Sequence, residues 1–537
     1  MKIMKKYLPL LIYVLVLSPA VPARRNQPLA NANSPGLYAR SIEQVLRLRE
    51  DEVDLGTAAL IVSENWSDMV NGRRYLAELD NMAIEIRERI ERKNYSQKFR
   101  AVSEINEYLF NELGFKSLSE ANDPNSLFLH TVLDQKRGYC LSLSILYLSL
   151  AERLGLDIYG VVVPGHFFVR YDDGEARFNI ETTSAGGSGT DEQYIEKFNV
   201  PRGDSSSIYM KNLNKIQTLG CFFNNLGNSY DKIGDIDTAL KAYKTAVEIN
   251  PTLSESRVNV GNIYLRKGRV TDAIKEYQAA LRINPKDATT HNNLGNAYTE
   301  QGRLGYAVSE YRQAIGLDPN FIDAYRGLAL VYSKQERFSL AISTLKRAII
   351  FAPEDANCYY QIGEVYNQRD DYDQAISNYN KALKIQPNLT DAYFGLGVCY
   401  NKMGLVDDEI SAYKNVLSRK PDMFAALVNL GNAYFGRENY IDAIKQYSRA
   451  VEVQPREAMV YYNLGAAYSN SGIYEKAVNE YLKAIEIDPN SGEAHYGLAI
   501  GFYHLEKYEL AWKHVQIAQK LGVEISKDQL NAIKRHL

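Results

Sequence analysis

Residues 288–321, ATTHNNLGNAYTEQGRLGYAVSEYRQAIGLDPNF, form one unit of a pattern that recurs along the C-terminal part of the chain. Each unit ends in an amphipathic segment followed by a proline, and these prolines are spaced at 34 residues: Pro251, Pro285, Pro319, Pro353, Pro387, Pro421, Pro455 and Pro489. Such regular spacing predicts similar helical units that bury a continuous core between neighbours. Since the chain has 537 residues, we expect at least one more domain before the array.

Small and aromatic residues fall at fixed positions when each unit is counted from Gly220. Position eight is glycine at Gly227, Gly295, Gly363, Gly397, Gly431 and Gly465, and a tyrosine follows three places later. Small residues let two helices cross closely, and the proline ends the second helix. The pattern resembles the tetratricopeptide repeat, which implies an all-α solenoid of about nine repeats over residues 220–521 that binds other polypeptides. The polar segment 522–537 is then expected to form a capping helix.

Asparagines recur at positions six and nine of the first helix of each unit, one turn apart on the same face. They are Asn225, Asn259, Asn293, Asn429 and Asn463 at position six, and Asn228, Asn262, Asn296 and Asn432 at position nine. Carboxamides both donate to and accept from the backbone of an extended peptide, so these are candidate peptide-binding residues. The rows resemble the asparagine ladder of O-linked N-acetylglucosamine transferase, although the chain has no room for a glycosyltransferase domain. The alternative is that they bond water or neighbouring helices.

The N-terminus has the layout of a secretory signal. Lys2, Lys5 and Lys6 precede the apolar run 7–17, and Ala23 follows at a cleavage-site spacing. The run is shorter than a membrane span usually requires, so we expect residues 1–23 to be a signal peptide, with an uncleaved membrane anchor as the alternative. Either interpretation predicts an exported protein of the periplasm, the cell envelope or the medium.

Composition narrows the classes of partner. With 45% apolar residues, 24% charged residues and a net charge of −3, the chain is typical of a globular protein that binds other proteins rather than nucleic acid. Four cysteines are too few for a disulfide scaffold. A single cysteine with one histidine falls short of the usual ligand set, so neither a metal site nor a cofactor is predicted.

The region before the repeats alternates helix and strand signals. Helical periodicity runs from 41 to 113, and a buried helix is expected at 140–154, closed by Gly155. Three strand-like segments follow, at 158–163, 166–171 and 176–182.

The last two strands form a hairpin in this interpretation. Asp173-Gly174 is the favoured pair for a two-residue type I′ turn, which would place His166 directly opposite Glu181. Alternation then puts both side chains on a polar face that is open for chemistry. A competing interpretation pairs Glu181 with Arg170 or Arg177 on the same face.

Cys140 is predicted at the start of the buried helix, where unpaired N–H groups favour a thiolate and can form an oxyanion hole. Cysteine, histidine and a carboxylate together make a nucleophile, a base and an orienting acid. Three motifs are similar to the transglutaminase-like superfamily: Arg137-Gly138-Tyr139-Cys140-Leu141, Val163-Pro164-Gly165-His166-Phe167 and Asn179-Ile180-Glu181-Thr182-Thr183. The resemblance implies Cys140 as nucleophile, His166 as base and Glu181 as orienting acid, although transglutaminases generally have aspartate at that last position.

The predicted architecture is therefore an α+β transglutaminase-like domain of the papain-like cysteine-protease type, followed by an all-α solenoid. The expected divisions are a signal or anchor at 1–23, linkers at 24–40 and 206–219, the α+β domain at 41–205, the repeats at 220–521 and the cap at 522–537. For most of the chain we favour an exported scaffold that binds polypeptides in the solenoid groove. The alternative is an active cysteine hydrolase or acyltransferase whose substrate the repeats recruit.

Overall fold

A computed structural model describes residues 39, 41–66, 69–118, 123–198, 200 and 208–536. The predicted signal or anchor at 1–23 lies outside the described residues, as does the following linker apart from residue 39. The chain divides into two compact units, Met1–Ile263 and Tyr264–Leu537, and each is described by itself. Within the described residues, no helix combines the length and the apolar character of a membrane span.

The first unit opens with helices that surround one buried helix. In chain order they are α1 Ile42–Val45, α2 Leu55–Trp66, α3 Gly72–Lys93, α4 Ala101–Asn106 continued by a π-helical turn Glu107–Glu112, α5 Leu129–Gln135 and α6 Cys140–Leu154. Short 3-10 turns lie at Glu50–Glu52, Lys98–Arg100 and Pro124–Leu127. Helix α6 is apolar almost all round and ends at Gly155, whose φ is 69°. Its bounds are those predicted from the sequence. A helix that is apolar on all sides is stable when it is buried in the core.

A four-stranded antiparallel sheet packs on α6. Its strands lie in the order β3 Ile158–Val163, β4 His166–Asp172, β5 Arg177–Glu181 and β6 Gly187–Gly189. A small parallel pair, β1 Lys116–Ser117 and β2 Arg137–Gly138, leads into α6. After β5 come a 3-10 turn, Thr182–Ser184, and helix α7, Asp191–Lys197.

The predicted turn between β4 and β5 is wrong by two residues. The strands pair Asp172 with Arg177 and Arg170 with Asn179, so the loop has four residues rather than two. The Asp173 carboxylate causes this, since its Oδ1 accepts the backbone N–H groups of residues 175 and 176 at 2.9 and 2.7 Å. A register shift of two residues keeps every side chain on the same face of the sheet. Glu181 therefore stays on the face of His166, but it lies diagonal to His166 rather than directly opposite.

The repeat region is built of consecutive helix pairs. Their bounds are α8 Lys215–Lys232, α9 Ile236–Ile249, α10 Ser254–Arg266, α11 Val270–Ile283, α12 Ala288–Glu300, α13 Leu304–Leu317, α14 Ile322–Lys334, α15 Phe338–Phe351, α16 Ala356–Gln368, α17 Tyr372–Ile385, α18 Thr390–Met403, α19 Val406–Arg419, α20 Phe424–Gly436, α21 Tyr440–Val453, α22 Ala458–Asn470, α23 Tyr474–Ile487, α24 Gly492–His504 and α25 Tyr508–Lys520. A final short helix, α26, covers Lys527–Lys534. The first repeat helix begins at Lys215, five residues before the sequence-based start at Gly220.

In several helix pairs of the C-terminal unit, a buried tyrosine of the second helix packs against a glycine of the first. The ring of Tyr311 is fully buried, and a Cβ added to Gly295 of the same repeat or to Gly327 of the next would lie 2.8 or 2.5 Å from it. The same arrangement recurs at Tyr379, with Gly363 and Gly395. Glycine is therefore required at position eight because the tyrosine occupies the space of a side chain.

We expect Gly295→Ala to destabilise the C-terminal unit by about 1–3 kcal/mol, because its Cβ would overlap the Tyr311 ring. Gly316→Ala is the matched control. Gly316 is an exposed glycine of α13 whose Cβ would meet nothing within 4 Å, so alanine there should stabilise by about 0.5–1 kcal/mol. Chemical denaturation followed by circular dichroism measures both. Equal midpoints for the two variants would contradict the packing argument.

Candidate functional site

Cys140 is the first residue of α6, held by a tight turn. Tyr139 caps the helix in an extended conformation, and its backbone N–H donates to Ser142 Oγ at 2.8 Å. Gly138 must lack a side chain, because a Cβ there would lie 2.6 Å from that same Oγ. The thiol is partly exposed. The first N–H groups of a helix have no partner within it, so they surround the thiol with donors.

His166 and Glu181 form a direct hydrogen bond, Nε2 to Oε2, at 2.7 Å. The His166 side chain is 14% exposed, and it lines the same cavity as the Cys140 thiol, which acts on the pKa of the ring. Because Nε2 is engaged with the carboxylate, Nδ1 is the ring nitrogen that remains for the thiol. The structure therefore brings the three predicted residues together, with a hydrogen bond between His166 and Glu181 and the Cys140 thiol on the same cavity.

The electrostatics of these three residues favour a charged imidazole. Burial lowers the pKa of His166, but interactions with Cys140 and Glu181 and their negative charges outweigh it and raise the pKa to about 9. Burial raises the pKa of Glu181, but the bonds from His166 and Thr183 prevail and lower it. An imidazolium between a carboxylate and a thiol is the arrangement that activates a cysteine nucleophile.

Helix α7 supports the site from a part of the sequence that showed no catalytic signal. Phe198 stacks on the His166 ring with centroids 4.7 Å apart and planes 6° apart. Tyr194 donates its hydroxyl to Glu181 Oε2 at 3.3 Å, and Thr183 donates its N–H and hydroxyl to the other carboxylate oxygen at 3.1 and 2.6 Å. These contacts fix the imidazole plane and the carboxylate.

The polar face of the hairpin is covered, contrary to the expectation that it is open for chemistry. Arg170 is fully buried, and Asn179 and Glu181 are 1% and 7% exposed. Arg170 pairs with Asp191 at 2.7 Å, and Arg177 also contacts Asp191, at 3.2 Å. The competing pairing of Glu181 with either arginine is therefore wrong, because Asp191 at the start of α7 takes both. On this face His166 is partly exposed beside Cys140, and Arg177 is exposed at the opposite end.

The position-nine asparagines accept hydrogen bonds from the second helix of their own repeat. Tyrosine hydroxyls donate to Oδ1 of Asn228, Asn296 and Asn432, from Tyr243, Tyr311 and Tyr447, at 2.8, 2.7 and 2.7 Å. These tyrosines were not predicted from the sequence, although their recurrence at multiples of 34 residues was a usable signal. The Oδ1 atoms of this row therefore help to hold the two helices of a repeat together.

The position-six asparagines mostly donate to a preceding repeat. Asn259 donates to Oδ1 of Asn224 and Asn228, Asn429 donates to the Tyr413 hydroxyl, and Asn463 donates to Asn432, at 3.1, 3.3, 3.1 and 3.4 Å. Asn225 instead donates to the carbonyl of Cys221 at 3.0 Å, and Asn262 and Asn293 have partners as well. These are the helix-to-helix bonds of the alternative interpretation, and peptide binding by the rows stays a prediction.

We expect iodoacetamide at neutral pH to modify Cys140 more than about tenfold faster than the other three cysteines. Cys221, Cys358 and Cys399 are buried; burial raises the pKa of the Cys221 thiol and raises those of Cys358 and Cys399 to about 12. Mass spectrometry of tryptic peptides gives the order of modification, and unfolding in denaturant should equalise the four. Comparable modification of any buried thiol in the folded protein would contradict this.

Among the described residues, no cluster of three or more histidine, cysteine or carboxylate side chains could hold a metal ion. The functional groups of the site are the thiol of Cys140, the imidazole of His166 and the carboxylate of Glu181.

Residues 73–218 match the family model described as the transglutaminase-like superfamily. Models of the tetratricopeptide repeat match residues 221–253, 261–302, 295–336, 363–404, 391–422, 431–472 and 458–491. The chain thus carries a transglutaminase-like domain followed by tetratricopeptide repeats, which confirms the predicted family resemblance and fold class.

Two curated relatives are similar to part of the chain. A UPF0162 protein of Xylella fastidiosa is 32% identical over 124 residues, which are 22% of this chain and 43% of the relative. A UPF0162 protein of Pseudomonas aeruginosa is 23% identical over 208 residues, 38% of this chain and 75% of the relative. The match to the Xylella protein spans less than half of its length. Among solved structures, MamA is 29% identical, with 30% of this chain and 94% of that chain covered and a TM-score of 0.29.

Proposed function

We propose that this chain is an exported thiol enzyme that breaks or exchanges an amide bond of a polypeptide through a thioester on Cys140. The observation that supports the proposal is that Cys140 and His166 line one cavity and that His166 is hydrogen-bonded to Glu181. A histidine with a purely structural role would not require both a partly exposed thiol and an ionised carboxylate beside it.

In the first step the Cys140 thiolate attacks the amide carbonyl carbon, and the carbonyl electron pair moves to oxygen. The resulting oxyanion is stabilised by the N–H groups and the positive end of α6, as in other acyl-transfer sites. When the C–N bond breaks, the leaving nitrogen takes the proton of the His166 imidazolium. A thioester on Cys140, a free amine and a neutral imidazole remain.

In the second step a nucleophile attacks the thioester carbonyl and gives its proton to His166. Water as the nucleophile completes hydrolysis, and an amine completes transamidation. The Cys140 thiolate leaves, and the thiolate and imidazolium pair is restored. Glu181 remains ionised throughout and holds the imidazole in position, a role analogous to that of the third member of a catalytic triad.

The repeats bind polypeptide substrates or partners in this proposal. Tetratricopeptide repeats form concave helical surfaces suited to extended segments, which supports a polypeptide rather than a small molecule as the ligand. The basic and apolar pattern of residues 1–23 supports export.

The test is a product analysis with a tryptic digest of a bacterial envelope proteome and a small primary amine. The parent protein should produce one of three changes detected by mass spectrometry: peptide-bond cleavage, glutamine converted to glutamate, or amine incorporated at glutamine. The same peptides should stay unchanged with Cys140→Ser. If the parent and Cys140→Ser bind the same peptides and neither protein modifies them, the chain is a binding scaffold and the enzymatic proposal fails.

A further inference from the structure

The first repeat forms part of the wall of the cavity that opens at Cys140. The cavity has a volume of about 380 Å³, and Cys140 and His166 line it on the side of the transglutaminase-like domain. Residues of α8, α9 and α10 line the other side, among them Asn228, Tyr243 and Asn259. All of these residues belong to the first unit. This volume is typical of a ligand pocket and holds a short stretch of polypeptide.

This wall is attached firmly to the domain. The backbone N–H groups of Met210 and Leu213, just before α8, donate to the carbonyls of Val162 and Gly160 in β3 at 3.1 and 2.8 Å. Lys215, the first residue of α8, donates its ammonium group to the carbonyl of Val53 at 2.6 Å and also pairs with Glu152. The first repeat therefore faces the thiol as a fixed surface rather than as a tethered module.

The carboxamides of the wall are orientated by their own bonds. Oδ1 of Asn228 accepts the Tyr243 hydroxyl at 2.8 Å and the Asn259 amide at 3.3 Å, and that amide also donates to Asn224 at 3.1 Å. Among the described residues, no hydrogen bond uses Nδ2 of Asn228 or Oδ1 of Asn259. At the cavity wall, Nδ2 of Asn228 therefore remains as a hydrogen-bond donor and Oδ1 of Asn259 remains as an acceptor.

We infer that Asn228 and Asn259 bind a backbone peptide group of an extended polypeptide, so that the first repeat and the start of the second are part of the active site. A peptide group offers one carbonyl acceptor and one N–H donor, which complement the Asn228 amide and the Asn259 oxygen whatever the side chains are. The inference rests on the proposed function and narrows it. The substrate is an extended polypeptide segment read through its backbone, and the same contact positions the reactive carbonyl at Cys140.

The test compares two electrophiles that alkylate Cys140, bromoacetamide and bromoacetyl-tetra-alanine amide. In the full-length parent, the peptide reagent should react about tenfold faster than bromoacetamide, the gain expected from its backbone hydrogen bonds. Its N-methylated analogue, which lacks the N–H donors, should lose most of this advantage. The readout is the ratio of the two rate constants, so a change in thiol reactivity itself cancels.

The decisive variant is Asn228→Asp. It keeps the acceptor for Tyr243 and Asn259 but replaces the donor, so the ratio should fall close to one. Asn228→Ala removes the donor without adding charge and should give the same result. The matched control is Asn470→Asp in α22, whose exposed amide donates only to the carbonyl of Ala466 at 2.8 Å and whose ratio should equal that of the parent.

A ratio near one in the parent, or a parental ratio in both Asn228 variants, would overturn the inference while leaving the proposed function intact. Failure of bromoacetamide itself to modify Cys140 in the folded parent would instead remove the proposed function, and this inference with it.

Discussion

His166→Ala should lower the rate constant for alkylation of Cys140 at pH 7 by about a hundredfold. The reason is that the variant loses the imidazolium charge beside the thiol, and a cation close to sulfur favours its nucleophilic form. The pKa of His166 is raised to about 9, so the imidazolium is present at neutral pH and is lost as the pH rises through that value. The difference between parent and variant should therefore be largest below about pH 7 and shrink above about pH 9.

The measurement is the pH profile of iodoacetamide modification at Cys140, followed by mass spectrometry. His291→Ala is a matched control, because His291 also hydrogen-bonds a carboxylate, Glu310, at 2.7 Å, and its pKa is also raised, but it belongs to the C-terminal unit. That control should leave the profile unchanged. Parallel profiles for the parent and His166→Ala across the whole range would show that the imidazole does not activate the thiol.

Local sequence signals were sufficient for the helix that begins at Cys140 and for the first strand that follows it. Helix α6 and strand β3 have the predicted bounds, because a run of apolar residues closed by glycine and a short β-branched run each have few structural solutions. The hairpin register was not predictable in the same way. Loops of two and four residues give the same alternation, and the choice is made by the Asp173 carboxylate, which caps the longer loop.

Tertiary contacts decided what the sequence did not predict. Phe198 stacks on His166 from 32 positions further along the chain, and no periodicity or spacing links the two residues. Likewise, the sequence pattern is similar in every repeat. It therefore does not reveal that Asn228 of the first repeat and Asn259 of the second line the cavity beside Cys140. Both features depend on packing between elements that are distant in sequence.

Arg170→Ala should destabilise the first unit by about 3–5 kcal/mol, the cost of removing one partner from a buried charged network. The Arg170 side chain is fully buried and donates to Asn179 at 2.7 Å, to Asp191 at 2.7 Å and to the carbonyl of Met210 at 2.8 Å. Alanine would leave the buried Asn179 and the Met210 carbonyl without that donor, while Asp191, whose side chain is 33% exposed, would keep Arg177. Lysine should not rescue it, because it cannot reproduce the planar fork of the guanidinium.

Arg177→Ala is the matched control, since Arg177 contacts the same Asp191 at 3.2 Å but its side chain is 52% exposed. It should cost no more than about 1 kcal/mol. The full-length protein is unfolded in denaturant, and the preferential alkylation of Cys140 is measured at each denaturant concentration. Because Cys140 belongs to the first unit, the loss of this preference reports the unfolding of that unit. Arg170 also connects β4 to α7, which carries Phe198 and Tyr194, so the ordered site should disappear together with the fold of the domain. If Arg170→Ala and Arg177→Ala shift the midpoint equally, the buried network contributes nothing beyond a surface ion pair, and the face that carries His166 and Glu181 is held by the sheet alone.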